Sequence, residues 1–277
     1  MQIKPKAPEE RLDQDKPINT TRDNNIYVLL PAFNEEASLP NLLKRFERKE
    51  DFQNKLIIYV IDDGSSDSTA SIAIQAQKHI NLKIYSHENN MGLGQAINTG
   101  LSQILKVAND TDIIVIMDAD DSHDTALIKD LVNEIVDGAD ICIASRFVEG
   151  GDDKSAPIFR RFLSRGASIV FKNLFPLENI NDFTSGFRAY RVGNLRNLSI
   201  HHGECLVEEP GFACMVELLL KLRHCDPIIK EIPFVLRYER KLSQSKIKIW
   251  KTIRQYLKLA LRDRLSNEPY KVVIYER

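Results

Sequence analysis

The sequence predicts an α/β fold in which a mostly parallel sheet carries helices on both faces. Short runs of β-branched and apolar residues alternate with amphipathic stretches of helix length between residues 26 and 136. The strand-like runs are apolar throughout, which is typical of strands buried on both faces. Hydrophobic residues make up 43% of the 277 residues, enough for a sizeable core. In such sheets ligands bind at the carboxyl ends of the strands, so the residues that follow each strand are the candidates for a site.

The first half of the chain consists of four predicted strand–helix pairs. The strands lie at residues 26–30, 56–61, 82–85 and 113–117, and the helices that follow them lie at 39–46, 69–76, 95–107 and 126–136. The second half is more mixed. Its predicted elements are a strand at 140–145, a Gly/Asp loop at 149–154, a helix at 159–174, an extended segment at 183–190, a helix at 212–222 and a strand at 228–236.

Three regions are predicted along the chain: a flexible leader at residues 1–25, a folded domain at 26–246, and a basic amphipathic helix and tail at 247–277. The leader is polar, contains three prolines and has no periodicity. No run approaches the roughly 18 apolar residues of a membrane-spanning helix, and the start lacks the apolar segment of a secretory signal. The four cysteines are scattered, which favours a reducing compartment. We therefore expect a cytoplasmic protein that is soluble or peripheral on the cytoplasmic face of a membrane.

The charge of the chain is balanced overall but uneven along its length. With 38 Lys+Arg against 39 Asp+Glu the net charge is −1, which excludes a basic nucleic-acid module and an acidic disordered tail. Residues 241–264, however, hold eight basic residues and one acid, so this segment carries +7. Such an asymmetry indicates a partner of opposite charge.

Polar clusters follow three of the predicted strands, at residues 31–36 (PAFNEE), 62–67 (DDGSSD) and 118–123 (DADDSH). A single aspartate after a strand is most often the N-cap of the next helix, and this explanation is sufficient for Asp62 or Asp67 alone. Because the carboxyl ends of parallel strands meet at one sheet edge, the three clusters together indicate a site.

Asp118 and Asp120 are the strongest metal-binding candidates. They are two residues apart in an extended segment, so both carboxylates project to the same face, which Ser122 shares. Carboxylate oxygens hold a hard cation such as Mg²⁺ or Mn²⁺, which keeps open positions for phosphate oxygens. The alternative, a solvated acidic turn, is disfavoured because a buried strand leads directly into the cluster.

Several motifs resemble the inverting family 2 glycosyltransferases of the GT-A fold, and within them the dolichol-phosphate mannosyltransferase group. Residues 31–35 (PAFNE) resemble that family's PxYNE turn, with Phe33 for the usual Tyr. Residues 61–65 (IDDGS) are similar to its VDDxS motif, and Asp118-Ala119-Asp120 matches its DxD. Further matches are 145–151 (SRFVEGG), 160–167 (RRFLSRGA) and 182–190 (DFTSGFRAY), and Arg240 with Ser245-Lys246 resembles RxxGxSK, with Ser243 for the Gly. The likeness runs from residue 26 to residue 246.

The resemblance implies roles for individual residues. Asp63 contacts the nucleotide base and Arg146 faces the donor diphosphate, while Ser122 and His123 occupy positions where the group has a further metal-site residue and a His. The implied donor-binding residues are Pro31, Phe33, Glu35, Ile61, Asp63, Asp118, Ala119, Asp120, Arg146, Arg240 and Lys246. The implied catalytic residues are Asp118, Asp120, Arg146, Arg240 and Lys246, and the implied metal ligands are Asp118, Asp120 and Ser122. Arg and Lys are also the residue types that bind phosphates, as a planar fork and as a point charge.

The reaction that the resemblance implies is a metal-dependent inverting transfer of a hexose, most often mannose, from GDP-mannose or a UDP-hexose to a polyprenyl or dolichyl phosphate. A phosphate acceptor needs no general base, because its second pKa is about 6. A hydroxyl acceptor would need one, and the candidates are Glu208, Glu209 and Glu217. Residues 211–222 resemble the group's GFxxxxEL segment, which favours the phosphate acceptor.

Two further functions are weaker alternatives. A nucleotidyltransferase would show a GxGxR loop after the first strand, where this chain has PAFNEE. A non-catalytic nucleotide-sugar-binding subunit is disfavoured because all five implied catalytic residues are present.

The basic C-terminal segment has the pattern of an amphipathic helix. One predicted arc holds Ile249, Trp250, Ile253, Leu257, Ala260 and Leu261, and the other side holds Lys251, Arg254, Lys258 and Arg262. This pattern is typical of a helix lying in the plane of an anionic membrane. A helix that packs on the domain with a solvated basic face fits the pattern equally well.

Overall fold

The computed structural model of the protein describes residues 24–47, 55–175, 177, 180–203, 205–243 and 249–265. The predicted leader therefore lies outside the described residues except for its last two positions. Lys246 and residues 266–277 also lie outside them, so the predicted role of Lys246 and the predicted tail stay predictions.

The described residues form seven strands and eight α-helices around one sheet. The strands are β1 (Ile26–Ala32), β2 (Leu56–Asp62), β3 (Leu82–Ser86), β4 (Ile113–Ile116), β5 (Ile141–Ser145), β6 (Arg188–Arg191) and β7 (Ile229–Pro233). The helices are α1 (Leu39–Phe46), α2 (Thr69–Ala76), α3 (Leu93–Leu105), α4 (Leu127–Val136), α5 (Ile158–Leu174), α6 (Val192–His202), α7 (Ala213–Leu222) and α8 (Ile249–Leu265).

The strand order is β3-β2-β1-β4-β6-β5-β7. All neighbouring pairs are parallel except those of β6, which runs antiparallel to both β4 and β5. The predicted mostly parallel α/β fold is confirmed. The predicted extended segment 183–190 is strand only from Arg188 onward, and the chain before it lies along the site described below. Helix α6 was not predicted.

The core consists of two apolar layers, one on each face of the sheet. In β1, Tyr27 and Leu29 belong to one layer, and Val28 and Leu30 belong to the other. Because side chains alternate across a strand, an apolar run buries both of its faces. The helices on both sides therefore hold the strands, and with them the positions of the carboxyl ends.

Helix α8 combines features of both structures that the sequence allowed. Thr252, Gln255, Leu259 and Ala260 are buried against the domain, and the ring of Tyr256 meets that of Phe171 on α5 edge to face at 5.4 Å between centroids. Three of the six residues of the predicted apolar arc nevertheless point outward, since Trp250 is 82% exposed, Leu261 62% and Leu257 58%. The helix thus packs on the domain and still exposes apolar side chains.

Candidate active site

The carboxyl ends of β1, β2 and β4 form one continuous edge, because β1 lies between the other two and pairs in parallel with both. A cavity of about 430 Å³ opens at this edge, a volume typical of sites for small ligands. Pro31, Phe33 and Glu35 from the first cluster, Asp63 from the second, and Asp118, Ala119 and Asp120 from the third all line it. The structure therefore brings the three predicted clusters together.

A smaller cavity of about 90 Å³ adjoins the first and shares Pro31, Asp118 and Asp120 with it. Arg146 follows β5 and lines this second cavity, together with Ser122, His123 and residues 184–186. Thr252 of α8 and Arg160 of α5 line both cavities. The site therefore lies between the strand ends and two helices of the second half.

An ion pair on the side of α1 stabilises the turn that carries Asp118 and Asp120, the two metal-binding candidates. Asp121 has a φ of 61°, a left-handed conformation that is uncommon for a residue with a side chain. Its carboxylate accepts a bidentate pair of hydrogen bonds from Arg45 of α1, from Nε at 2.8 Å and from Nη2 at 3.1 Å. This fork fixes the turn, and so it fixes the directions in which Asp118 and Asp120 point.

Asp120 is buried and both of its oxygens are engaged. Oδ1 accepts hydrogen bonds from the Ser122 hydroxyl at 2.6 Å and the Ser122 backbone N–H at 3.1 Å. Oδ2 forms an ion pair with the ammonium of Lys241. Burial is the largest single influence and favours the neutral form of the carboxyl group, but Lys241, His123 and the Ser122 hydroxyl together outweigh it and lower the pKa of Asp120 to about 2. Asp120 is therefore an anion, and Ser122 supports it as a hydrogen-bond donor.

His123 positions Asp118. Its ring stacks on Phe187 at 4.9 Å between centroids, and its Nδ1 accepts a hydrogen bond from the Asp118 backbone N–H at 3.2 Å. Burial lowers the pKa of His123, so the ring is neutral at neutral pH. With Nδ1 accepting, the proton is assigned to Nε2, which lies 3.8 Å from Asp118 Oδ2.

Asp118 and Asp120 have the donor chemistry for a hard divalent cation. The side chain of Asp118 is 40% exposed, whereas that of Asp120 is 8% exposed. Within residues 24–265, as far as they are described, no group of three His, Cys, Asp or Glu residues could hold a metal ion. Two carboxylates alone suit a cation that takes its remaining ligands from water and phosphate oxygens, as Mg²⁺ usually does.

Arg146 is held by a buried acid. Its Nε and Nη2 donate to Asp182 Oδ2 and Oδ1 at 2.7 and 2.8 Å, and Nη2 also donates to Thr184 Oγ1 at 2.7 Å. Burial opposes the charge on each partner, but the pairing prevails, so the pKa of Asp182 is lowered and that of Arg146 is raised. The guanidinium is thus fixed beside the smaller cavity, and its Nη1 takes part in none of these three hydrogen bonds.

Asp63 lines the larger cavity, and the chain itself supplies hydrogen-bond donors to its carboxylate. Its Oδ1 accepts from His87 Nδ1 at 2.7 Å and from the Met91 N–H at 2.9 Å. Its Oδ2 accepts from Asn90 Nδ2 at 2.9 Å and from the Gly92 N–H at 2.8 Å. Four donors fill the acceptor sites of the carboxylate. Asp63 therefore organises the loop at residues 89–92, and a nucleotide base would reach it only by displacing a donor such as Asn90.

Other predicted residues also take different places. Ile61 is fully buried in the core and lines neither cavity. Asp67 lies one residue before Ser68, the N-cap of α2, so it is not the predicted N-cap, although its Oδ1 accepts from the Thr69 N–H at 2.9 Å and so supports the start of the helix. Asp62 holds its own turn through the Ser65 N–H at 3.2 Å.

Arg240 does not reach the cavity at the sheet edge. It lines a separate cavity with Arg45 and Asp124, and its Nη1 lies 3.6 Å from Asp124 Oδ2. Its neighbour Lys241 enters the site instead. Lys241 was not predicted, because the motif names the arginine and the later lysine, and a short helical turn at Tyr238–Arg240 decides which of two adjacent side chains points inward.

Comparison with known proteins identifies the family. The model of the family described as "Glycosyl transferase family 2" matches residues 27–199, more than half of the chain. The chain belongs to glycosyl transferase family 2.

This family 2 chain is 30% identical over 234 residues to a dolichol-phosphate mannosyltransferase of Pyrococcus furiosus, covering 84% of the chain and 62% of that relative. It is also 30% identical to an undecaprenyl-phosphate mannosyltransferase of Micrococcus luteus, covering 80% of the chain and 87% of the relative. The chain thus spans less than two thirds of the Pyrococcus protein, and the predicted resemblance is confirmed.

Solved structures confirm the GT-A fold of this family 2 chain. Glucosyl-3-phosphoglycerate synthase from Mycobacterium tuberculosis in complex with UDP superposes with a TM-score of 0.62 at 20% identity, covering 87% of this chain and 80% of that one. A complex of the same synthase with Mn²⁺, UDP and glucosyl-3-phosphoglycerate gives 0.60 at 19% identity, covering 91% and 82%. At these identities the likeness concerns the fold alone.

None of the three candidate bases of the family 2 chain lines either cavity. Glu217 is 1% exposed, and its Oε2 accepts the backbone N–H groups of Glu208 and Glu209, both at 2.8 Å. Its Oε1 pairs with Arg262 at 2.6 Å and Lys221 at 3.2 Å. Glu208 pairs with the same two cations, and neither cavity is lined by any of the three glutamates. Glu217 therefore ties α8 to α7 rather than acting as a base.

Proposed function

We propose that the chain is a metal-dependent inverting glycosyltransferase that transfers a hexose, mannose in the first instance, from a nucleotide diphosphate sugar to a polyprenyl phosphate. The observation that carries the proposal is the composition of the site. Its described acids, Glu35, Asp63, Asp118 and Asp120, all lie at the strand ends, whereas the residues that reach it from α5 and α8 include Arg160 and Lys251. Basic residues facing an acidic strand edge suit an anionic acceptor.

The donor side of the reaction depends on Asp118 and Asp120. Bound there, Mg²⁺ or Mn²⁺ would neutralise the charge that develops on the departing diphosphate. Arg45, through Asp121, holds the turn, and His123 holds the backbone of Asp118. Arg146, fixed by Asp182, directs its guanidinium to the smaller cavity, where it offers a planar charge to phosphate oxygens. The donor nucleotide, GDP or UDP, is the subject of the first test below.

The acceptor side supports a phosphate nucleophile. A phosphate monoester is largely ionised near neutral pH, so attack on the sugar carbon needs no residue to remove a proton. Arg160 is available to orient it, because this residue lines both cavities and its Nη1 donates to the Tyr238 hydroxyl at 3.3 Å. The relatives named as dolichol- and undecaprenyl-phosphate mannosyltransferases support the same acceptor class.

We also propose that the enzyme meets its lipid acceptor at a membrane surface. We define the α5–α8 surface as the exposed apolar side chains of these two contacting helices: Ile158, Phe159, Phe162, Ile169, Trp250, Leu257 and Leu261, each at least 56% exposed. Basic residues of α8, among them Arg254 and Lys258, are also exposed. Apolar side chains beside Lys and Arg are typical of binding to an anionic bilayer. In the described part of the chain no helix has the length and apolarity to span a membrane.

A donor panel with matched acceptors tests the reaction. We expect turnover of GDP-mannose, with UDP-glucose as the competing donor, when polyprenyl phosphate and Mn²⁺ or Mg²⁺ are present. We expect no turnover when EDTA removes the metal ion, and none when the unphosphorylated polyprenol replaces polyprenyl phosphate. Product formation on the polyprenol would contradict the phosphate acceptor.

Asp120→Ala tests the DxD assignment. We expect a loss of roughly 10²- to 10³-fold in rate, as for removal of one preorganised electrostatic partner, with the fold intact by circular dichroism. Asp110→Ala is the control, because this aspartate is 69% exposed and pairs with Arg196 outside the site. Full activity in Asp120→Ala would exclude the assigned metal site.

A further inference from the structure

The ammonium of Lys241 occupies the position beside Asp120 where a bound metal ion would be expected. Lys241 lines the 430 Å³ cavity, is 9% exposed along its side chain, and forms an ion pair with Asp120 Oδ2. Since Ser122 already donates twice to Oδ1, Oδ2 is the oxygen of Asp120 that remains for a cation. A divalent cation and an ammonium repel each other at such short range, so the two cannot share this oxygen without cost.

The backbone around Lys241 is anchored, whereas its side chain can move. The Arg237 N–H donates to the Ser122 carbonyl at 3.0 Å, and the Leu242 N–H donates to the Ser38 hydroxyl at 3.3 Å. The segment is thus tied to the metal-binding turn on one side and to the start of α1 on the other. A lysine has a flexible four-carbon stem, so its ammonium can change partner while the backbone stays in place.

The cavity offers a second kind of partner for that ammonium once a donor is bound. A lysine is a cation at neutral pH, and the ion pair with Asp120 places this charge inside the cavity. Asp118 and Asp120 together carry two negative charges, which a bound Mg²⁺ or Mn²⁺ would neutralise. The anions left for the ammonium in this buried site would then be the carboxylate of Glu35, which lines the same cavity, and the phosphate oxygens of the donor, which are good partners for a lysine point charge.

We propose that Lys241 is an exchangeable counter-cation of the metal site. It neutralises Asp120 before the divalent cation binds, and it transfers its hydrogen bond to a phosphate oxygen of the nucleotide when the cation takes Asp120. Lys241 is therefore a donor-binding residue that makes cation and nucleotide bind together. The second step rests on the proposed function, whereas the first concerns only the cation.

The first step is tested with Mn²⁺ alone, by following the free-ion electron paramagnetic resonance signal in a titration without nucleotide. Lys241→Met should bind Mn²⁺ more tightly than the wild type by about tenfold, the smallest effect that a neighbouring charge commonly has on a carboxylate equilibrium. Lys251→Met is the matched control, because Lys251 lines the same cavity and, unlike Lys241, is exposed. We expect its Mn²⁺ affinity within about twofold of wild type. Lys241→Gln, which keeps a hydrogen-bond donor without the charge, should behave as Lys241→Met does and provides a second variant should the first misfold.

Two results would overturn the first step: an Mn²⁺ affinity of Lys241→Met and Lys241→Gln equal to or weaker than that of the wild type, or equal tightening in Lys251→Met. Asp120→Asn separates this failure from failure of the proposed function. If Asp120→Asn loses Mn²⁺ binding while the Lys241 variants are unchanged, the metal site stands and the exchange is excluded. If Asp120→Asn also binds Mn²⁺ like the wild type, the metal site itself is misassigned.

The second step is tested by calorimetric titration of GDP and of UDP at saturating Mn²⁺. Lys241→Met should bind the preferred nucleotide about tenfold more weakly, the loss expected for one hydrogen bond to a charged group, and Lys241→Arg should recover part of it. The variants would then bind Mn²⁺ more tightly and nucleotide more weakly, a combination that a purely structural lysine would not produce. An unchanged nucleotide affinity in Lys241→Met would overturn the transfer to phosphate.

Discussion

The strand edge and the α5–α8 surface differ in whether the chain itself provides partners for their side chains. At the strand edge nearly every polar group has a partner from the chain itself, as with the four donors on Asp63 and the fork on Asp121. On the α5–α8 surface, Phe162 and Trp250 are 73% and 82% exposed. The strand edge is therefore preorganised by the fold, whereas the surface gains its stabilisation only when something outside the described chain covers it.

The largest expected effect comes from breaking the buried pair that fixes Arg146. Asp182→Asn leaves the guanidinium of Arg146 charged and only 13% exposed. Removing one partner of a buried pair commonly costs about 3–5 kcal/mol, which urea unfolding would measure. Asp110→Asn is the control, since its pair with Arg196 is exposed and should contribute about 1 kcal/mol or less. Equal losses in the two variants would show that burial does not distinguish the two pairs.

The same pair makes a prediction about pH. Burial is the largest single influence on the pKa of Asp182 and raises it, but the charge and hydrogen bonds of Arg146, with the charge of Arg188, together lower it further. A depressed carboxyl pKa stabilises the folded state above the unfolded value of about 3.9, and this contribution is lost as the pH falls through the folded value. The difference in unfolding free energy between wild type and Asp182→Asn should therefore be constant near neutral pH and shrink below about pH 4. A difference that widens on acidification would contradict the assignment.

A smaller effect is expected at Asp63. Asp63→Ala removes the acceptor of the Met91 and Gly92 amides and of the His87 and Asn90 side chains. Leaving buried donors unsatisfied costs about 1–3 kcal/mol, and here the loop at 89–92 can partly rearrange towards water. Hydrogen exchange should show faster exchange at Met91 and Gly92 and unchanged protection in β4. Loss of protection throughout the sheet would mean that Asp63 supports the whole fold rather than one loop.

The sequence predicted the strand edge better than the second half, for a physical reason. Fully apolar runs define β1, β2 and β4, and the position of Asp118 and Asp120 follows from the end of such a run. The direction of individual side chains and their partners from distant parts of the chain could not be predicted in this way. The donors to Asp63 come from residues 24 to 29 positions further along the chain, and Ile61 faces the core because neighbours in a strand alternate. Arg240 and Lys241 exchange their expected places because a local turn decides which of the two points inward.

Helix α6 shows the same limit. It follows β6 directly, and it buries Val192, Leu195 and Leu198, one residue in three, among polar neighbours. This sparse pattern does not distinguish a helix from a loop in the sequence. Its position depends also on contacts with α7, which lie outside the local pattern.

The smallest effect on stability is expected on the α5–α8 surface, and there it should accompany a large effect on binding. Phe162→Ser with Trp250→Ser removes two exposed apolar side chains, so the free energy of unfolding should change by no more than about 0.5 kcal/mol per site. Flotation with anionic vesicles should show at least about tenfold weaker binding, since burying even one such side chain contributes roughly 1.5–3 kcal/mol. Ile74→Ser on α2, where the side chain is 54% exposed, is the matched control and should float like the wild type. If the double variant floats unchanged, the surface has another partner; if it unfolds more easily, a part of the chain itself covers these side chains, and the contrast with the strand edge disappears.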